Sequence, residues 1–143
     1  ADGVILPTFR AVLRKGDTVY DIFSRVTRYS KIVTDCVYTV NYSSVYVKGI
    51  NHLYEFSCGE LSGWMYKVNG VFPGYGCSKY ALKDGDVIEW VYTCDLGRDV
   101  GGEFGTAPSV ENVCAQQKTD TYTFFYDKIA VASPPKAAWR RCV

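Results

Sequence analysis

Gly16-Asp17-Thr18-Val19-Tyr20-Asp21-Ile22-Phe23-Ser24-Arg25-Val26-Thr27-Arg28-Tyr29-Ser30 is the stretch whose reading decides the fold class. Val19, Ile22, Phe23, Val26 and Tyr29 recur at helical spacing, with Arg25, Arg28 and Lys31 off that stripe, which predicts an amphipathic helix over 18–30 with one face packed on a sheet. Lys15-Gly16-Asp17 reads as a turn, and Thr18 with Asp21 three residues later resembles a capping box, Asp being the weaker partner there. Outward from this helix the pattern is one of strands. Val4 to Leu13 alternates apolar and basic residues and is interrupted by Pro7. Downstream come Cys36 to Val40, Val45 to Val47 and Leu53 to Phe56, rich in β-branched and aromatic residues. Trp64 to Val68 follows, closed by the hairpin dipeptide Asn69-Gly70, and then Val87 to Tyr92 after the turn Lys83-Asp84-Gly85-Asp86. A strand, one helix and more strands make an α+β chain. Two architectures satisfy that order: a β-grasp-like domain with the helix on a mixed sheet, or a small β-sandwich with one crossover helix.

A chain of 143 residues suits one domain, and 48% hydrophobic with 22% charged residues is a globular composition. Sixteen Lys and Arg against fifteen Asp and Glu leave a net charge of +1, which removes the electrostatic case for a nucleic-acid or polybasic membrane-surface protein. No uncharged apolar run approaches the roughly 18 residues of a membrane helix. The N-terminus carries no basic-then-apolar leader, so a mature protein or an excised domain is expected. Six cysteines, at 36, 58, 77, 94, 114 and 142, are spread evenly without any zinc-like short spacing. Their even number, together with the sequon Asn41-Tyr42-Ser43, fits an oxidising, extracellular compartment.

Catalytic and metal chemistry find little to work with. His52 is the single histidine, so any Ser/His/Asp or Cys/His pair would depend on that one base. Asn51-His52-Leu53-Tyr54 also lacks the D-x-H-x-x-G pattern of enzymes that place a protein His on cobalt, and a surface or hydrogen-bonded role is read for it. The acidic residues Asp84, Asp86, Glu89, Asp95 and Asp99 lack calcium-loop spacing, and Asp84-Gly85-Asp86 is explained by turn chemistry. No enzyme, resident cofactor or metal is expected. Nine of the thirteen glycines lie between 59 and 102, where functional loops are expected. Within that half, Phe72-Pro73-Gly74-Tyr75-Gly76 sets two aromatics among turn residues. Such rings either lie against a planar ligand face, at ~1–3 kcal/mol each, or tuck into the domain and pin the turn. Trp90, mid-strand, is read as core; Trp64 fits either role.

Three consecutive pieces carry a family resemblance: Gly63-Trp64-Met65-Tyr66-Lys67-Val68-Asn69-Gly70, Pro73-Gly74-Tyr75-Gly76-Cys77-Ser78-Lys79-Tyr80, and Leu82-Lys83-Asp84-Gly85-Asp86-Val87-Ile88-Glu89-Trp90. They resemble the transcobalamin-like C-terminal domain family, a bacterial cell-surface domain similar to the C-terminal β-domain of transcobalamin and intrinsic factor. Gly16-Asp17-Thr18-Val19 and Thr93-Cys94-Asp95-Leu96-Gly97 also look like that family, so the resemblance runs from about 4 to 102. It implies a β-grasp-like, non-catalytic, exported module, residues 1–102, within a larger anchored protein. It also implies contact with one face of a corrinoid, with Trp64, Val71, Phe72 and Tyr75 as ligand-binding residues. The rival expectation is an adhesion or interaction module presenting the same loop to a cell-surface glycan or protein. Residues 103–143 fall outside the resemblance. They read either as a genuine tail with a strand over Thr121 to Tyr126, or as a cloning-derived appendage beginning at Glu103-Phe104-Gly105-Thr106. All six cysteines are expected in disulfides. Three of them, 58, 77 and 94, lie inside the signature, so at least one bridge must leave it for Cys36, Cys114 or Cys142. Cys58 with Cys77 is the expected pair, tying together the two ends of the segment that carries Trp64 and the loop.

Overall fold

The computed structural model describes residues 4–102 and 126–132. The elements run β1 (Val4–Val12), α1 (Val19–Tyr29), β2 (Thr34–Thr39), β3 (Ser44–Ile50), β4 (Leu53–Tyr54), β5 (Gly63–Val68), β6 (Ile88–Thr93), a short 3₁₀ turn at Arg98–Val100, and β7 (Tyr126–Ala132). The fold is α+β, with one α-helix among the described residues.

Local chemistry accounts for where α1 begins and which face it buries. Thr18 Oγ1 accepts from the Asp21 N–H at 3.3 Å, and Asp21 Oδ2 accepts from the Thr18 N–H at 2.8 Å, so the reciprocal cap is complete even with Asp in place of Glu. Val19, Ile22, Phe23, Val26 and Thr27 are buried, and the Phe23 ring lies 4.4 Å from that of Trp90 on β6. Tyr29 is instead 88% exposed, and Thr27 takes the last buried place on the helix. Each buried apolar side chain contributes about 1.5–3 kcal/mol, so this face, rather than helix propensity, holds α1 in place.

Two sheets meet around the core. The first has strand order β1-β7-β6-β5 and the second β2-β3-β4. In the first, β1 pairs antiparallel with β7, β5 pairs antiparallel with β6, and β6 runs parallel to β7, so the sheet is mixed. Pro7 does not end β1. It is absorbed within the register shift between Leu6 and Phe9, on an edge strand where its missing N–H is tolerated. Of the strand expected over 121–126, residues 121–125 lie outside the described ones. β7 begins at Tyr126 and occupies the position between β1 and β6, so part of the tail joins the N-terminal strand to the rest of the sheet. The Asn69-Gly70 turn bends the chain tightly, but not into β6. Val68 and Val71 exchange hydrogen bonds across it at 2.9 and 3.0 Å, and the loop then wanders before returning. Asn69 fastens that return: its N–H reaches Val87 O at 2.8 Å and its side-chain oxygen accepts the Val87 N–H at 2.9 Å.

The expected Cys58–Cys77 bridge is corrected by the structure, and with it the description of the domain as stapled by that bond. Cys77 is a buried thiol whose Sγ donates to Val45 O at 3.4 Å, and Cys36 is also a thiol. The reason is topological. Cys77 is drawn towards β3, whereas Cys58 sits in the turn before β5, its N–H bonded to Ser62 Oγ at 3.0 Å. Cys94 follows β6, its N–H donated to Asp99 at 2.8 Å. Cys114 and Cys142 lie outside the described residues.

Candidate functional site

A cleft of about 200 Å³ opens where β3 of the smaller sheet faces β5 and β6 of the larger one. Val45, Tyr46 and Val47 form one wall, and Trp64, Met65 and Tyr66 the opposite one. Phe72, Pro73, Gly76 and Cys77 of the glycine-rich loop close the remaining side, with Trp90 behind. The loop is pinned to both strands. Ser78 Oγ bonds Ser44 Oγ at 2.9 Å and accepts the Val45 N–H at 3.0 Å. On the other side Tyr66 donates its hydroxyl to Tyr75 O at 2.5 Å.

The four expected ligand-binding residues separate into two groups. Trp64 and Phe72 line the cleft; Val71 and Tyr75 do not, and each is 52% exposed on the loop's outer side. Trp64 is only 6% exposed, with its indole N–H donated to Leu53 O at 2.8 Å and its ring edge-on to Tyr92 at 5.2 Å. It offers an edge of the cleft wall rather than an open ring face. Phe72 is half-buried with the Lys67 ammonium 4.8 Å above its ring, and that ammonium also donates to Val100 O at 2.7 Å. Tyr75 stacks on Tyr80 at 5.5 Å and 12°. Both readings of the loop are thus present at once: part of it tucks in, and part faces outward.

Tyr46, Tyr66 and the β3 wall escaped sequence reasoning. Tyr66 carried a local signal, since it stands two residues from Trp64 on the same strand face. For Val45 to Val47 the sequence held none, because their place opposite β5 is set by the packing of two sheets. The hydroxyls of the cleft are already engaged. Tyr46 donates to Glu55 Oε2 at 2.6 Å, and burial, then Glu55, pushes its phenol up to about 12. Burial, and then the neighbouring Cys77 and tyrosines, likewise raises Tyr66. Trp90 Nε1 is buried without a partner among the described residues. What the cleft presents to a visitor is therefore apolar and aromatic surface. His52 stands away from it, exposed on a left-handed backbone with φ +66°. A larger open depression of about 560 Å³ runs along the polar side of α1, but its central carboxylates are already satisfied. Asp17 is paired with Arg25 at 2.5 Å, and Asp21 is held in the helix cap.

A family model described as a domain of unknown function (DUF4430) matches residues 16–94, more than half of the chain. The chain belongs to that family. The DUF4430 match runs from the turn before α1 to the end of β6 and contains every residue lining the cleft, while β1 and β7 lie outside it. The family description assigns no activity, and the transcobalamin-like assignment goes beyond it. Comparisons with curated proteins and with solved structures give no match.

Proposed function

We propose that this chain is a non-catalytic binding module, secreted or displayed at the cell surface, that receives a protruding apolar side chain of a protein partner in the cleft between β3, β5 and the 72–77 loop. The observation that carries this reading is the cleft itself: room for one ring-sized group, apolar walls, and hydroxyls already bonded within the protein. Recognition on such a surface comes from burial of an aromatic or branched anchor, while Val71 and Tyr75 remain exposed on the loop that carries Phe72. A sugar ring would bring hydroxyls that these engaged groups leave unsatisfied, which disfavours a glycan. The extracellular setting is supported by the cysteine content and by the resemblance to exported domains. The same resemblance supports the finer β-grasp-like description of the α+β fold.

A corrinoid is the second reading, favoured by the exposed outer face of the loop. The macrocycle is too large for a cleft of about 200 Å³ and would have to lie flat over Val71, Phe72 and Tyr75. Contact with one face alone implies affinity on the order of micromolar or poorer. Selection from a library of displayed random peptides, run beside calorimetric titration with cobalamin and cobinamide, separates the two readings. Peptides sharing an aromatic or branched aliphatic anchor are expected, weakened by about 1–3 kcal/mol in Phe72→Ala. Saturable heat with cobinamide and no Phe72-dependent peptide would replace this reading with the corrinoid one.

A further inference from the structure

Two thiols meet where the β2–β3 hairpin joins the wall of the cleft. Cys36 stands on β2 directly opposite Val47 of β3. Side chains opposed across an antiparallel pair share a face, so Cys36 lies on the side where Val47 is buried, and it packs against the core. Cys77 comes to the same face from the loop. Its Sγ meets the carbonyl of Val45, two residues along β3 from Val47, at 3.4 Å. Tyr20 of α1 adjoins both cysteines: its N–H donates to Cys77 O at 3.1 Å, and its phenol is raised by burial first and then by the Cys36 and Cys77 sulfurs. The Cys77 thiol, buried at 3% exposure, is itself opposed by charge at Cys36. Cys36 also sits at the register shift between Asp35 and Cys36, on an edge strand, where a small backbone adjustment disrupts no ladder on the outer side.

We propose that Cys36 and Cys77 are disulfide partners, closing to a bond that ties β2 to the cleft-forming loop when the chain meets a small-molecule disulfide. The more accessible Cys36 attacks as thiolate one sulfur of the external disulfide, forming a mixed disulfide and expelling one external thiolate. Cys77 then loses its proton and attacks the Cys36 sulfur, forming the internal bond and expelling the second external thiolate. Two protein thiols are oxidised, the external disulfide is reduced to two thiols, and the two protons pass to the leaving thiolates. The closed bond fixes two walls of the cleft relative to each other, those carried by the β2–β3 hairpin and by residues 72–77. It does so whether or not the cleft binds a protein.

The test equilibrates the full chain with oxidised and reduced glutathione, alkylates the remaining thiols, and maps the peptides without reduction. Cys36 and Cys77 peptides joined with loss of two hydrogens are the expected product, with a melting temperature about 5–15 °C above that of the reduced chain. In Cys36→Ala, Cys77 should remain a thiol that is alkylated only after unfolding. Cys36 or Cys77 found joined to Cys58, Cys94, Cys114 or Cys142 would overturn the pairing. So would both staying alkylatable in fully oxidised glutathione, or Cys77 in Cys36→Ala being bridged elsewhere.

Discussion

Single residues decide how closely the loop approaches β3. A Cβ at Gly76 would stand 1.9 Å from Ser44 Oγ and 2.3 Å from Ser44 Cβ, and Ser44 is 2% exposed with its hydroxyl already bonded to Ser78. There is no room for that side chain to yield. Gly76→Ala is therefore expected to cost about 1–3 kcal/mol in urea denaturation. Gly74, two residues earlier on the same loop, has nothing within 4 Å of its added Cβ and no left-handed backbone. Gly74→Ala should stay within about 0.5 kcal/mol of the parent. Equal losses at the two positions would mean that the loop does not rest on β3 as described. From sequence these glycines look alike. The difference between them lies in a serine more than thirty positions away.

At the scale of the element, α1 was the most legible part of the chain because its signals are local. The apolar spacing names the buried face, and Thr18 with Asp21 names the start. Hydrogen bonds from Thr18 hold the Asp21 carboxyl below its usual value, burial opposing them more weakly. A carboxyl lowered in the folded state stabilises above its unfolded value of about 3.9, and that contribution is lost as pH falls through the folded one. Thr18→Ala is expected to cost about 1 kcal/mol at neutral pH, with the gap to the parent narrowing at acid pH. Thermal melts at pH 7 and pH 3 measure it, and a constant gap would remove the charged half of the cap from the account. β1, β2, β4, β5 and β6 were legible to within a residue or two, whereas β3 runs three residues beyond the stretch read for it and β7 begins where the tail strand was expected to end. The path of the chain after Asn69-Gly70 was not: that dipeptide predicts a turn, and the turn forms, but which strand receives the returning chain depends on the fastening of Asn69 to Val87.

For the whole molecule, groups held neutral in the folded state make stability fall with alkali. Burial, then Cys36, pushes the Cys77 thiol from 9.0 up to about 12, and burial, then Glu55, pushes the Tyr46 phenol from 10.0 up to about 12. Each folded value lies above its unfolded one, so the native state keeps a proton that the unfolded chain releases. The stability they contribute is complete below pH 9.0 and is lost as pH rises towards about 12. Melting temperatures under reducing conditions should fall through this window, less steeply in Cys77→Ala, and an unchanged slope in that variant would exclude the thiol as a cause. The sequence by itself determined the α+β class, the buried face and cap of α1, most of the strands, and a glycine-rich loop carrying Phe72 and Tyr75. Each of these is written in neighbouring residues, through periodicity, capping and turn chemistry. Only the tertiary structure decided that β7 lies between β1 and β6, that Trp64 is buried while Tyr75 is exposed, and that Val45 to Val47 face Trp64 to Tyr66. It also turned Cys77 away from Cys58 and towards Cys36, because a thiol's neighbour is chosen by which sheet the loop packs against, and spacing along the chain does not encode that.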